Sequence, residues 1–248
     1  MIARSIVLLS LAAIATIGAA CDRTESSNTP VTTTSPAGTS TAPAPAEARH
    51  RDEALLRVVN AAPSSTNFDL FAGDLLLFDG LAFKSVTPYR AVDGQRYAFA
   101  LRPAGMTQAK PLSTNTEGLQ DGHFYTAVAM PGDGRSPRLR VVDDPLQPPS
   151  AGKARLRIIH AGADAGTIRI RAAGARDNLF DKIEYESVSD YRDVSPVSGA
   201  IEIVRDEPAA PVLTSFNTHL DPGRFYTIVI LGSGRAVEAF LIEDALSQ

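Results

Sequence analysis

The feature that most constrains this chain is that most of it is written twice. Gly122-His123-Phe124-Tyr125-Thr126 opens an apolar run closed by Gly132-Asp133-Gly134-Arg135, and Gly223-Arg224-Phe225-Tyr226-Thr227 opens another closed by Gly232-Ser233-Gly234-Arg235. Three further pairs of segments keep the same order. Leu55-Leu56-Arg57-Val58-Val59-Asn60-Ala61 is matched by Leu156-Arg157-Ile158-Ile159-His160-Ala161. Phe83-Lys84-Ser85-Val86-Thr87-Pro88-Tyr89 is matched by Tyr185-Glu186-Ser187-Val188-Ser189-Asp190-Tyr191, and Asp143-Asp144-Pro145-Leu146 by Glu243-Asp244-Ala245-Leu246. Ordered anchors whose offsets stay at about 100 residues are what a duplication with small loop insertions leaves behind.

Each copy is therefore a module. Leu55–Ala61 is rich in β-branched residues, and Phe68-Asp69-Leu70-Phe71 and Leu75-Leu76-Leu77-Phe78 flank Ala72-Gly73-Asp74 as the arms of a tight hairpin. Tyr97–Arg102 alternates large and small side chains, as a strand with one packed face does. Each module shows roughly seven such runs, and no segment has a helical period. The expected fold class is all-β: two tandem antiparallel β-sandwich modules of immunoglobulin-like size, at 54–146 and 154–248. The Cys-Trp-Cys signature of true immunoglobulin domains is absent, since the chain has one Cys and no Trp. Pro145-Leu146-Gln147-Pro148-Pro149-Ser150-Ala151-Gly152 interrupts both helix and ladder bonding, which sets a linker at 147–153. So short a joint predicts that the modules touch.

The first 53 residues follow different rules. Arg4 and the amino terminus give a positive start, Ile6–Ile17 is apolar but too short to span a bilayer, and Gly18-Ala19-Ala20 precedes Cys21. Residues 1–20 read as a secretion signal. The only Cys falls where a bacterial lipoprotein carries its lipid, and the segment resembles a lipobox with Gly18 in place of the usual Leu. Cys21 is therefore the expected lipidation site, with acyl chains holding the protein on a membrane. Residues 21–53 are rich in Thr, Ser, Pro and Ala, as in Thr32-Thr33-Thr34-Ser35-Pro36 and Ala42-Pro43-Ala44-Pro45-Ala46, and bury too little surface to offset ordering entropy. They read as a disordered tether.

Leu56-Arg57-Val58-Val59 with its second copy, the Phe/Tyr-x-Ser-Val-x-x-Tyr element, Arg102-Pro103-Ala104-Gly105, and Phe-Tyr-Thr before the last hairpin together resemble the bacterial domain of unknown function 4397 family. The resemblance covers both modules. The second departs from it where Arg205-Asp206-Glu207-Pro208 replaces Arg102-Pro103-Ala104-Gly105. It implies a secreted or surface-attached protein, often with tandem modules, and it carries over no catalytic residue.

Candidates for chemistry are weak. A net charge of −4 gives no basic face for nucleic acid, and an aromatic share of 6% gives few stacking platforms. His50, His123, His160 and His219 have no metal-ligand spacing and read as surface or capping histidines. Asp69, Asp74 and Asp79, and the Asp143-Asp144 and Glu243-Asp244 pairs, read as solvated turn carboxylates rather than a calcium loop. The Gly-x-Gly-Arg turns supply positive φ for hairpins. Tyr89, Tyr125, Tyr191 and Tyr226 read as packing residues whose hydroxyls satisfy nearby backbone. Neither Gly-x-Ser-x-Gly nor Ser-x-x-Lys occurs. No catalytic, cofactor-binding or metal residue is expected, and no cofactor.

The expected function is a non-enzymatic cell-envelope lipoprotein, facing the periplasm or cell surface, that presents two modules for binding or assembly. Its expected partners are the membrane, through the lipid anchor, and an envelope protein or glycan, with no nucleic acid. The alternative is an envelope hydrolase acting on a cell-wall or surface polymer. Replacing Cys21 by Ser should abolish acyl labelling and release the chain from the membrane fraction; unchanged fractionation would refute the anchor.

Overall fold

A strand buried on one face alternates apolar and polar residues, whereas one buried on both reads as a continuous apolar run. Leu55–Ala61 and Leu156–Ala161 are of the second kind, and they determine how the molecule is layered. The structure, a computed structural model, describes residues 52–132, 136–233 and 236–244. The expected signal peptide, Cys21, His50 and the tether to residue 51 lie outside the described residues. So do the turn tips at 133–135 and 234–235 and the last four residues.

The described residues contain strands and turns and no helix. The first module runs β1 (Ala54–Asn60), β2 (Phe68–Ala72), β3 (Leu75–Leu81), β4 (Arg90–Val92), β5 (Arg96–Pro103), β6 (Ser113–Gly118), β7 (Phe124–Pro131) and β8 (Pro137–Asp143). The second runs β9 (Ala154–His160), β10 (Ile168–Ala172), β11 (Asn178–Ile183), β12 (Ser187–Val188), β13 (Arg192–Val194), β14 (Val197–Arg205), β15 (Val212–Leu220), β16 (Phe225–Ser233) and β17 (Ala236–Glu243).

Each module is a sandwich of two sheets. The first has sheets in the order β4-β1-β7-β8 and β3-β2-β5-β6. The second has β12-β9-β16-β17, with β13 also on β9, and β11-β10-β14-β15. The second module's short β12 corresponds to a single bridge, Val59–Val86, in the first. The β-sandwich fold expected from the sequence is the one observed, with one parallel pair inside each module. β1 runs parallel to β7 and β9 parallel to β16, because the first and penultimate strands enter the sheet from the same end. This parallel register sets Arg57 beside Thr126 and Arg157 beside Thr227.

The β1 and β7 side chains divide between two cores. Ala54, Leu56, Val58, Tyr125, Ala127 and Ala129 join Phe68, Leu70, Phe99 and Leu101 inside the first sandwich. The intervening Val59, Val128 and Met130 meet Ile159, Val229, Leu231 and Ile242 of the second module in a separate core. The sheets containing β1 and β9 therefore face each other, and each is covered on both sides. Both modules fall within one compact unit, which agrees with the contact predicted from the short linker. That linker is tied down. Ser150 donates from its N–H and its hydroxyl to Asp193, at 2.9 and 2.5 Å, and Arg155 donates to Asp193 and to the Gln147 carbonyl.

The polar sequence Ser113-Thr114-Asn115-Thr116-Glu117-Gly118 forms β6, an edge strand with alternating exposure. Its lack of apolar residues hid it from periodicity. Phe99, fully buried between the first module's sheets, tests the packing directly. Phe99→Ala should destabilise the protein by about 3–5 kcal/mol in urea titration, since the cavity can collapse only partly.

Candidate functional site

The four pairs of repeated motifs converge on one place. Arg57 and Arg157 sit at the centres of β1 and β9, Thr126 and Thr227 are the third residues of β7 and β16, and Asp144 and Asp244 immediately follow β8 and β17. Tyr89 and Tyr191 come from the segments leading into β4 and β13. The arginines, threonines and aspartates are each no more than about 3% exposed. A charge in the middle of a strand covered on both faces is expensive unless paired, and here the partners cross between modules.

Arg57 Nη2 donates to Asp244 Oδ1 at 2.5 Å, and Arg157 Nη1 lies 2.6 Å from Asp144 Oδ1 as an ion pair. Within each module the arginine's Nε donates to the threonine hydroxyl, Arg57 to Thr126 at 2.9 Å and Arg157 to Thr227 at 3.0 Å. The threonines then donate to their own module's carboxylate, Thr126 to Asp144 Oδ2 at 2.6 Å and Thr227 to Asp244 Oδ2 at 2.7 Å. Tyr89 and Tyr191 hydroxyls donate to the same Oδ2 atoms at 2.7 and 2.8 Å. Thr126 accepts a second bond from Arg157 Nη2 at 3.1 Å, so its one donor and two acceptor positions are all used. Each guanidinium lies 4.7 Å from its own module's tyrosine ring, giving a cation–π contact.

The electrostatics keep the two arginines charged and the two tyrosines protonated. Burial works against the charged guanidiniums, but the aspartates and tyrosines around them together outweigh it and hold both arginines above their ordinary value. Burial, with the carboxylates beside them, pushes both tyrosine hydroxyls up, so they remain protonated donors. The cluster's chemistry is thus spent on joining the modules. Two depressions reach its margin. One, of about 460 Å³, is lined by His123, Phe124 and Asp143–Pro148; the other, of about 300 Å³, by Arg157, Ser189, Asp190 and Tyr191.

The residues singled out from sequence fall into three groups. Asp144 and Asp244, expected to be solvated, are buried cluster members, because each continues its last strand beside β7 or β16, donating its N–H to the Phe124 or Phe225 carbonyl. Asp69 is also buried rather than solvated. It accepts from the Gly80 and Gly105 N–H groups at 2.8 and 2.9 Å, anchoring an irregularity within β3 and the turn after β5, where both glycines have positive φ. Asp74, Asp79, Asp143 and Glu243 are exposed as expected. Tyr125 and Tyr226 accept from the Gln120 and Asp221 N–H groups, as packing residues at sheet corners should. His123 and His219 are surface residues beside Asp143 and Asp221, at 3.4 and 3.0 Å. His160 is the exception among the histidines: it is fully buried. The Gly162 N–H donates to its Nδ1, which makes Nε2 the protonated nitrogen, donating to the Gly166 carbonyl at 2.9 Å. Asn60 does the same work in the first module, donating to the Leu81 carbonyl and accepting from the Ala62 N–H. Among the described residues no three His, Cys, Asp or Glu side chains gather as a metal site would require.

Arg57, Arg157, Thr126 and Thr227 were visible only as repeat anchors. The signal that could have marked them is a charged residue of one type kept in both copies, inside an otherwise apolar run.

Residues 54–171 match the family described as Domain of unknown function (DUF4397). The match spans the first module and the opening strands of the second. No curated protein matches the chain. Among solved structures, the chain is similar to the "crystal structure of a putative cell adhesion protein" from Bacteroides uniformis. The two are 12% identical, with 77% of this chain and 97% of that one covered at a TM-score of 0.25.

Two outcomes follow from the cluster and its neighbour. Arg57→Met should cost about 3–5 kcal/mol in chemical denaturation, because it strands the Asp244 carboxylate, and adding Asp244→Asn, which removes the charge but keeps an acceptor for Thr227 and Tyr191, should recover part of the loss. Burial lowers the His160 pKa. As pH falls below about 6.5 the unfolded chain gains a proton that the folded site resists, so stability present above that pH is lost on acidification. His160→Asn, the first module's solution, should flatten the pH dependence of the melting temperature between about pH 5 and 7.

Proposed function

We propose from its architecture that this chain, whose residues 54–171 match a family defined without a biochemical role, is a non-enzymatic envelope lipoprotein presenting two sandwich modules as one rigid body for binding or assembly. The observation that carries this reading is the reciprocal Arg–Asp cluster between the modules. Its buried charges, hydroxyls and aromatic rings hold two sheets in fixed register. A protein whose strongest polar constellation fixes orientation is suited to hold outer surfaces in a set geometry. Those surfaces are the faces and edges of β3-β2-β5-β6 and β11-β10-β14-β15. Cys21 and the Thr/Ser/Pro/Ala-rich segment after it add an anchor and reach, placing the body at a membrane that faces the periplasm or the cell surface. An envelope protein or glycan is the partner class for such a display.

One observation favours a hydrolase acting on a cell-wall or surface polymer: His219 lies 3.0 Å from Asp221. Both side chains are more than half exposed, and the pair stands on the edge strand β15 and the turn after it. This suits a solvated ion pair better than a general base, which works best where water is excluded.

Photo-crosslinking amino acids at Thr116 in β6 and Asn217 in β15, both exposed, should capture an envelope protein or glycan in native membranes. The same probe at Val59 in the intermodule seam should give only crosslinks within the chain. Failure to capture any envelope component, together with His219-dependent cleavage of a wall polymer by the purified protein, would replace this reading with the enzymatic one.

A further inference from the structure

The centre of the intermodule face is built from the same residue types in both modules: Arg57 and Arg157, Thr126 and Thr227, Asp144 and Asp244. Taken alone, such a face is self-complementary. The first module's face could meet another copy of itself as readily as it meets the second module's, as in an isologous contact. The rim of the face removes this ambiguity.

Two further ion pairs cross between the modules, Lys84 with Glu238 and Arg138 with Glu186. Their positions are equivalent in the two copies. Lys84 and Glu186 occupy the same turn. Both have positive φ, at 69° and 60°, and both donate their N–H to the residue ending the first strand of their module, Asn60 or His160. Arg138 and Glu238 occupy the same register, Arg138 opposite Met130 and Glu238 opposite Leu231. At these equivalent positions the charges are opposite: the first module's rim is cationic at both, the second's anionic at both.

We propose that Lys84, Arg138, Glu186 and Glu238 are partner-selecting residues that restrict this face to pairs of unlike modules. The face fits a second-module surface and rejects a copy of itself. Two first modules would bring Lys84 against Arg138 twice, and two second modules Glu186 against Glu238 twice. Any second copy of the chain that engages this face can do so only as first module to second module. The inference goes beyond the envelope reading and does not depend on it. It concerns which module pairs with which, whatever the outer surfaces bind.

Exchanging charges at one equivalent pair inverts the rule without changing net charge. In Lys84→Glu/Glu186→Lys, both rim contacts within the chain become repulsive, while contacts between like modules of two copies become attractive. Arg138→Glu/Glu238→Arg has the same consequence by the other position. Sedimentation equilibrium of the purified protein should show the monomer–dimer midpoint of each double variant shifted at least about tenfold to lower concentration than wild type, since each exposed pair contributes modestly and four contacts change sign. The shift should vanish in about 1 M salt, where such charges are screened. The fourfold variant restores opposite charges between unlike modules and should return the midpoint to the wild-type value. An unshifted midpoint in both double variants would overturn the proposal. So would a shift that the fourfold variant fails to reverse.

Discussion

Two guanidinium groups buried between facing sheets set the terms for the rest of this molecule. Arg57 and Arg157 lie in strands covered on both sides, where an unpaired charge would cost several kcal/mol. Each is made tolerable by an aspartate from the other module, a threonine on the neighbouring parallel strand and a tyrosine ring across its face. Neither module supplies the full set for its own arginine. The ionic requirement of one half is completed by the other, and the apolar contacts of Val59, Val128, Met130, Ile159, Val229 and Leu231 close around the result.

This dependence explains which parts of the duplicated sequence stayed alike. The Leu-Arg, Phe-Tyr-Thr, Ser-Val-x-x-Tyr and Asp-x-Leu segments lie far apart along each copy, yet they supply the arginine, the threonine, the tyrosine and the aspartate of one cluster. Where the copies differ, the difference has a local physical role. Asn60 and His160 solve the same backbone problem with different donors and acceptors. The rim positions carry opposite charges because they face each other. Identity at the centre and inversion at the rim together turn a repeat into an ordered pair.

The repeat, the sandwich class and the packing tyrosines Tyr125 and Tyr226 were legible in the sequence, because turn residues, alternation and matched anchors are local signals. Three things were not. β6 carries no apolar pattern, so Ser113–Gly118 offers no strand signal to periodicity. The parallel β1–β7 and β9–β16 pairs join segments about 70 residues apart, and nothing in either segment specifies the other's direction. The burial of Asp144 and Asp244 depends on that pairing, since only a sheet covered on both faces turns a carboxylate after the last strand into an interior group. Arg57 was visible as a charge inside an apolar run, but its partner is 187 residues away.

The central claim is that the two modules are one cooperative body held by crossed ion pairs, rather than two sandwiches on a string. Differential scanning calorimetry measures this directly. The account predicts a single transition for the folded region, with calorimetric and van't Hoff enthalpies equal. Two resolved transitions, or a van't Hoff enthalpy near half the calorimetric value, would contradict it.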